Sequence, residues 1–195
     1  MSVVLEKHSS TKKYGNLRFR QVKLKKKANY VLFLDFDGVL HPDAVYLSRQ
    51  GPMLRADGEL FMWAPYLVEI LEHFPSVSVV LSTSWVRHLG FNRVLGFLPA
   101  FLVERVVGAT WHSSMGKVWA DEAVWDGRTR YDQISRYAAR AHLSQWISLD
   151  DESAGWAEDA LDRLVACNSQ LGLGDPDARR NLYQRLEQLA NSRLL

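Results

Sequence analysis

The chain has 195 residues, 47% hydrophobic and 24% charged, which suits one soluble globular domain with a buried core. No apolar run reaches the length of a membrane span, and the N-terminal MSVVLEKHSS lacks the basic-then-apolar pattern of an export signal. A single cysteine, Cys167, excludes an internal disulfide, so a cytoplasmic, reducing location is expected.

The net charge of +2 is unevenly spread. Residues 1–30 hold nine Lys or Arg against one acid, Glu6, whereas residues 31–195 hold fifteen against twenty-one. Residues 1–29 therefore read as a basic arm and 30–195 as the folded domain. Within the arm, the cations of residues 12–27 are interleaved with Tyr14 and Phe19. Such a segment can neutralise nucleic-acid phosphates and stack bases. It equally fits a solvated tail or a first strand, RFRQVKLKK, whose alternating cations face water.

From residue 30 the pattern is a β/α alternation. YVLFLDF predicts a buried strand over about 30–36, closed by the turn residue Gly38. Residues 41–62, rich in Gly, Pro and Asp, predict a loop or short hairpin over the strand end. Leu67, Ile70, Leu71 and Phe74 give helical spacing over 63–74, stopped by Pro75. VSVVLS (77–82) is a second strand. A helix from Ser84–Trp85 into GFLP (96–99) and a third strand within 103–108 follow. Residues 110–127, with Trp111, Trp119 and Trp125, have no clear period and read as an insert. A helix over 129–142, a fourth strand at 146–149, a fifth at 161–167 and a final helix at 176–191, opened by Asp175–Pro176, complete the chain.

Two of these strands end in acids: Asp35 and Asp37 after the first, Asp150 and Asp151 after the fourth. A lone Asp-Gly after a strand is an ordinary turn. Two acidic strand ends suggest one shared site at the carboxyl edge of a parallel sheet, since buried carboxylates need a compensating charge. Asp35 is the candidate nucleophile, and Asp37 the group that protonates a leaving oxygen and then activates water. Magnesium prefers oxygen ligands, and Asp35, the Asp37 backbone carbonyl, Asp150 and Asp151 are its candidate donors. Thr83 is the candidate phosphate-binding hydroxyl, with Ser82 and Ser84 beside it, although Thr83 or Ser84 would also cap the following helix. A fixed cation is required, and Arg128, Arg130 or Lys117 can supply it. Gly38 and His41 are further candidate substrate contacts, a loop histidine without a role being the blander reading. Trp85 reads as packing. No histidine spacing suggests zinc.

DFDGV (35–39), Thr83, an Arg at 128 or 130 and the Asp150–Asp151 pair, in this order, resemble the haloacid dehalogenase (HAD) superfamily of phosphohydrolases. DFDGVLHP, LSTSW, WISLDDE and VACNSQLGL resemble, more narrowly, the HAD domain of Swiss Army Knife RNA-repair proteins. The resemblance spans about residues 30–192. It implies a three-layer α/β sandwich around a central parallel sheet, a Mg2+ cofactor and an aspartyl-phosphate intermediate. By association it implies RNA or DNA phosphorylated ends as substrates. One departure is an arginine where the superfamily usually has lysine, a non-equivalent exchange. There is no GxxxxGK[ST] phosphate loop. The segments after the first two strands are too short for a full cap domain, so the expected site is open, with a minimal cap or none. A phosphatase of nucleotides or sugar phosphates, and a non-catalytic nucleic-acid-binding module, are the alternatives.

Overall fold

The computed structural model describes residues 30–112, 125 and 127–191. The basic arm, Lys117 and Trp119 lie outside the described residues. Strand β1 (Tyr30–Leu34) is buried along its whole length. Its side chains divide by parity: Tyr30, Leu32 and Leu34 enter one apolar cluster, and Val31 and Phe33 the other. A strand with apolar residues at every position is a strand covered on both faces.

A short hairpin follows, β2 (Val45–Ser48) with β3 (Gly51–Leu54), and then helix α1 (Ala64–Glu72) and strand β4 (Val77–Leu81). Helices α2 (Trp85–Leu89), α3 (Phe91–Leu95) and α4 (Ala100–Arg105) lead to β5 (Val106–Ala109). Helix α5 (Arg130–Arg140), β6 (Trp146–Asp150), β7 (Leu164–Ala166) and α6 (Pro176–Asn191) complete the order. The five-stranded sheet runs β5-β4-β1-β6-β7 with every pairing parallel. Leu67 and Leu71 of α1 and Leu182 and Leu186 of α6 pack in one cluster, whereas Ile134 and Ala138 of α5 pack in the other. The result is the expected three-layer α/β sandwich.

Three elements differ from the sequence reading. The helix expected after Ser84 is two short ones, because Gly90 takes φ 83° between them and leaves the helical path. The expected third strand begins late: Pro99 opens α4, which runs to Arg105 before β5 starts. The first three residues of the expected fifth strand, up to Arg163, belong to a 3-10 helix (Glu158–Arg163), and the strand starts at Leu164. Its acids and Arg163, whose guanidinium stands 4.6 Å over the Trp146 ring, interrupt the apolar run. Between β1 and α1 the hairpin is the only pair of strands among the described residues, beside an isolated bridge from Asp37 to His41, which agrees with a minimal cap.

Candidate active site at the carboxyl edge of the sheet

Register and parity assemble the site. Leu34 pairs with Leu81 on one side and Leu149 on the other, so the next residues, Asp35, Ser82 and Asp150, stand level. The ladder continues one step further, through Asp35 N–H to the Leu149 carbonyl (3.1 Å) and Ser82 N–H to the Leu34 carbonyl (2.8 Å). Asp35 follows Val31 and Phe33 in parity, and Asp150 follows Trp146, so both face α5. On α5, Arg130, Ile134 and Ala138 recur every four residues along one stripe. The latter two are buried against Val31, Phe33 and Val80, which carries Arg130 past the strand ends. Thr129 caps this helix by accepting from Asp132 N–H at 3.2 Å.

Of the candidate cations among the described residues, Arg130 is the one shown paired with these acids. Its Nη2 donates to Asp35 Oδ2 at 2.7 Å, its Nε lies 3.2 Å from Asp150 Oδ2, and its Nη1 donates to the Ser82 carbonyl. One guanidinium thus ties the ends of β4, β1 and β6. Arg128 precedes the helix, where its carbonyl accepts from the Gln133 side chain at 3.3 Å.

Among the described residues, one cation does not balance the acids around it. The Asp35 carboxyl is pushed up to about 7: burial raises it most, Arg130 pulls it down, and Asp37 and Asp151 add to the rise. Asp150, fully buried, is raised well above the ordinary carboxylate range by burial and then by Asp35. Asp151 is raised by burial and then by Asp43. Burial works against the charge on Arg130, yet Asp35, Asp150, Glu152 and Asp151 outweigh it and hold that group above its usual value.

Asp35, Asp150 and Asp151 offer ligand atoms that lie within 4.8 Å of one another. Asp150 Oδ2 is buried without an aligned hydrogen bond, its approach to Arg130 being an ion pair off the donor axis. Three oxygen donors, surplus negative charge and an oxygen lacking a proton donor fit a hard divalent cation such as Mg2+. Gly38 makes this grouping possible. It takes φ 67°, and a Cβ there would lie 2.2 Å from Asp151 Oδ2. The carboxylate of Asp151 therefore rests directly on the turn that follows Asp35.

The Asp37 carboxylate belongs to a second group. Trp85 Nε1 donates to Asp37 Oδ2 at 2.9 Å, and His41 Nε2 lies 3.1 Å from Oδ1. Phe61 N–H donates to His41 Nδ1 at 3.2 Å, which puts the imidazole proton on Nε2, facing Asp37. Phe36, Phe61 and Phe97 pack edge-on or stacked around Trp85 and His41. Phe61 holds its N–H there at φ 61°, a conformation costing about 1–3 kcal/mol for a bulky residue.

Two sequence readings are corrected here. His41 is fully buried, so it holds Asp37 and does not reach a ligand. Trp85 is more than packing, since its N–H is spent on Asp37. Thr83 is 1% exposed and its Oγ1 accepts from Trp85 N–H at 3.4 Å, the capping alternative, with its own hydroxyl hydrogen left to donate. The Ser82 hydroxyl is fully buried without a partner among the described residues, and the Ser82 carbonyl is what meets Arg130. Ser84 is exposed and, with Asp37, Trp85 and His88, lines a cavity of about 300 Å³.

The family model described as the HAD domain in Swiss Army Knife RNA repair proteins matches residues 31–178. The chain belongs to that family. No curated protein matches the sequence. Membership in this HAD family indicates hydrolase chemistry of the phosphatase type, and the three grouped carboxylates are placed to hold a metal ion. No helix among the described residues is long and apolar enough to cross a membrane.

Proposed function

We propose that this HAD domain is a magnesium-dependent phosphomonoesterase that works through an aspartyl-phosphate on Asp35 and acts on phosphorylated RNA or DNA ends. The observation that carries the reading is the surplus of negative charge, among the described residues, where Asp35, Asp150 and Asp151 converge around one guanidinium. Asp35, Asp150, Asp151 and the Asp37 carbonyl would hold Mg2+, which when bound offsets charge on the phosphoryl oxygens.

Asp35 attacks phosphorus, the bond from phosphorus to the leaving oxygen breaks, and that oxygen takes a proton from Asp37. A water then attacks the same phosphorus and returns a proton to Asp37. The bond to Asp35 breaks, restoring its carboxylate and releasing inorganic phosphate. Arg130 keeps Asp35 oriented throughout, and the Thr83 hydroxyl donates to a phosphoryl oxygen. Trp85 and His41 aim Asp37. The small hairpin leaves room for a macromolecular end, and the RNA-repair description of the family supports a polynucleotide substrate.

The test is steady-state hydrolysis of p-nitrophenyl phosphate, a metabolite panel and end-phosphorylated oligonucleotides, with Mg2+ or a chelator. Hydrolysis is expected only with Mg2+, and Asp35→Asn is expected to lower kcat by about 10³-fold or more. Turnover that survives Asp35→Asn overturns the assigned nucleophile. Absence of turnover on every phosphomonoester overturns the enzyme.

A further inference from the structure

We infer that the leaving group is a single-stranded nucleic acid whose path runs from Asp37 across α2 and α3, its terminal nucleoside in one cavity and the next nucleotide in a second. This rests on the phosphomonoesterase reading and assigns the surface that reading needs.

The first cavity, about 300 Å³, has Asp37 in its lining, so its occupant would lie beside the group that protonates the leaving oxygen in the proposed mechanism. Val45, Leu47 and Pro52 of the hairpin region face Leu89 of α2 across it, with Ser84 and His88 as its polar atoms. Apolar walls with two hydrogen-bonding side chains suit a sugar and base. The second cavity, about 860 Å³, lies on the other side of α2 and shares Leu89 with the first. Phe91 and Trp111 give it aromatic walls, and Arg87, Asn92 and Arg93 give it cations and an amide. The hairpin turn closes on the same place, since a Cβ on Gly51 would lie 3.6 Å from Arg93 Nη2.

Charge separates this side of the mouth from the other. Residues 44–56 contain Arg49 and Arg55 and no Asp or Glu; residues 82–103 contain Arg87 and Arg93 and likewise no acid. Beyond Asp35 on the opposite side stand Asp43, Asp151 and Glu152. A polyanion is drawn to the first side and repelled from the second. Two cavities in series suit a repeating leaving group, because a small metabolite is accommodated by the first alone. Arginines beside aromatic walls match phosphates alternating with bases. A phosphopeptide offers no such repeated charge.

The test uses the full chain carrying Asp35→Asn, which blocks turnover, and a fluorescent single strand of about ten nucleotides ending in a phosphate. Anisotropy is followed against salt, with a phosphopeptide of equal length as the second arm. Replacing both Arg87 and Arg93 by Ala is expected to weaken oligonucleotide binding roughly tenfold or more and to flatten the salt slope by about 1.4. A 5-iodouridine at the penultimate position is expected to cross-link to the peptides holding Phe91 or Trp111. Unchanged affinity and slope in the double variant overturns the path, as do cross-links confined to residues 12–27 or equal binding of the phosphopeptide. Aryl-phosphate turnover by the wild-type chain reports on the enzyme separately, so a missing path and a missing activity give different results.

Discussion

Asp35 and Asp37 stand two residues apart on one turn, yet their surroundings have little in common. Asp35 is 4% exposed and faces a guanidinium together with two further carboxyls, so charge governs its state. Asp37, with its side chain 24% exposed, faces two neutral N–H donors in an aromatic surround and opens onto a cavity. The first position holds more acids than cations among the described residues and is placed to hold a metal ion. The second is held in place by dipoles while keeping contact with solvent, from which a proton can come. In the proposed mechanism, identical side chains take a nucleophile's role and a proton carrier's role from what the neighbouring strands and helices place beside them.

Removing the guanidinium attacks the charged half directly. Arg130→Ala leaves buried carboxyls without their partner and is expected to destabilise the metal-free chain by about 3–5 kcal/mol at neutral pH. Arg130→Lys restores the charge but not the three-way fork, and should recover part of that loss. Chemical denaturation of the three proteins in chelator checks this, and equal stability of Arg130→Ala and wild type sinks the idea.

Gly38→Ala strikes the junction between the halves. Its cost is expected at about 1–3 kcal/mol from positive φ, with weaker Mg2+ binding because Asp151 must move. Calorimetric titration of Mg2+ into the variant is the readout, and an unchanged affinity counts against Asp151 as a donor. On the neutral side, Trp85→Phe keeps the ring and loses the N–H. A drop in kcat of about tenfold with KM and thermal stability little changed is expected. If KM moves and kcat does not, Trp85 serves substrate binding and not Asp37.

The gentlest probe is pH. Asp35 titrates near 7 in the metal-free folded chain and at 3.8 as an ordinary carboxyl, so between those values the folded chain holds a proton that the unfolded chain has released. The contribution of this group to stability is therefore present at low pH, falls as pH rises from about 4, and is lost above about 7. Asp150 and Asp151 act in the same direction. Melting temperatures with chelator should decline across that interval more steeply for wild type than for Asp35→Asn, and stabilisation by Mg2+ should grow across it. A wild-type slope no steeper than that of Asp35→Asn refutes the assignment.

Much of this was legible from residue order. An apolar run at every position announced a doubly covered β1, and acids at the ends of two such runs announced where the sheet edge would gather charge. The choice between Arg128 and Arg130 was not legible, because it depends on which residue shares a stripe with Ile134 and Ala138. His41 and Trp85 escaped for a related reason: their partner, Asp37, is close only after the turn folds back and α2 docks, contacts that no local pattern encodes. The break at Gly90 was hidden by apolar residues that keep helical spacing on both sides of it.

The guanidinium that ties three strand ends also couples the site to the helix layer. Arg130 opens α5, whose Ile134 and Ala138 pack against Val31, Phe33 and Val80. The fork reaches Asp35 and Asp150 only while that packing holds, so a defect in the apolar stripe of α5 would be felt at the ion pairs of its first residue.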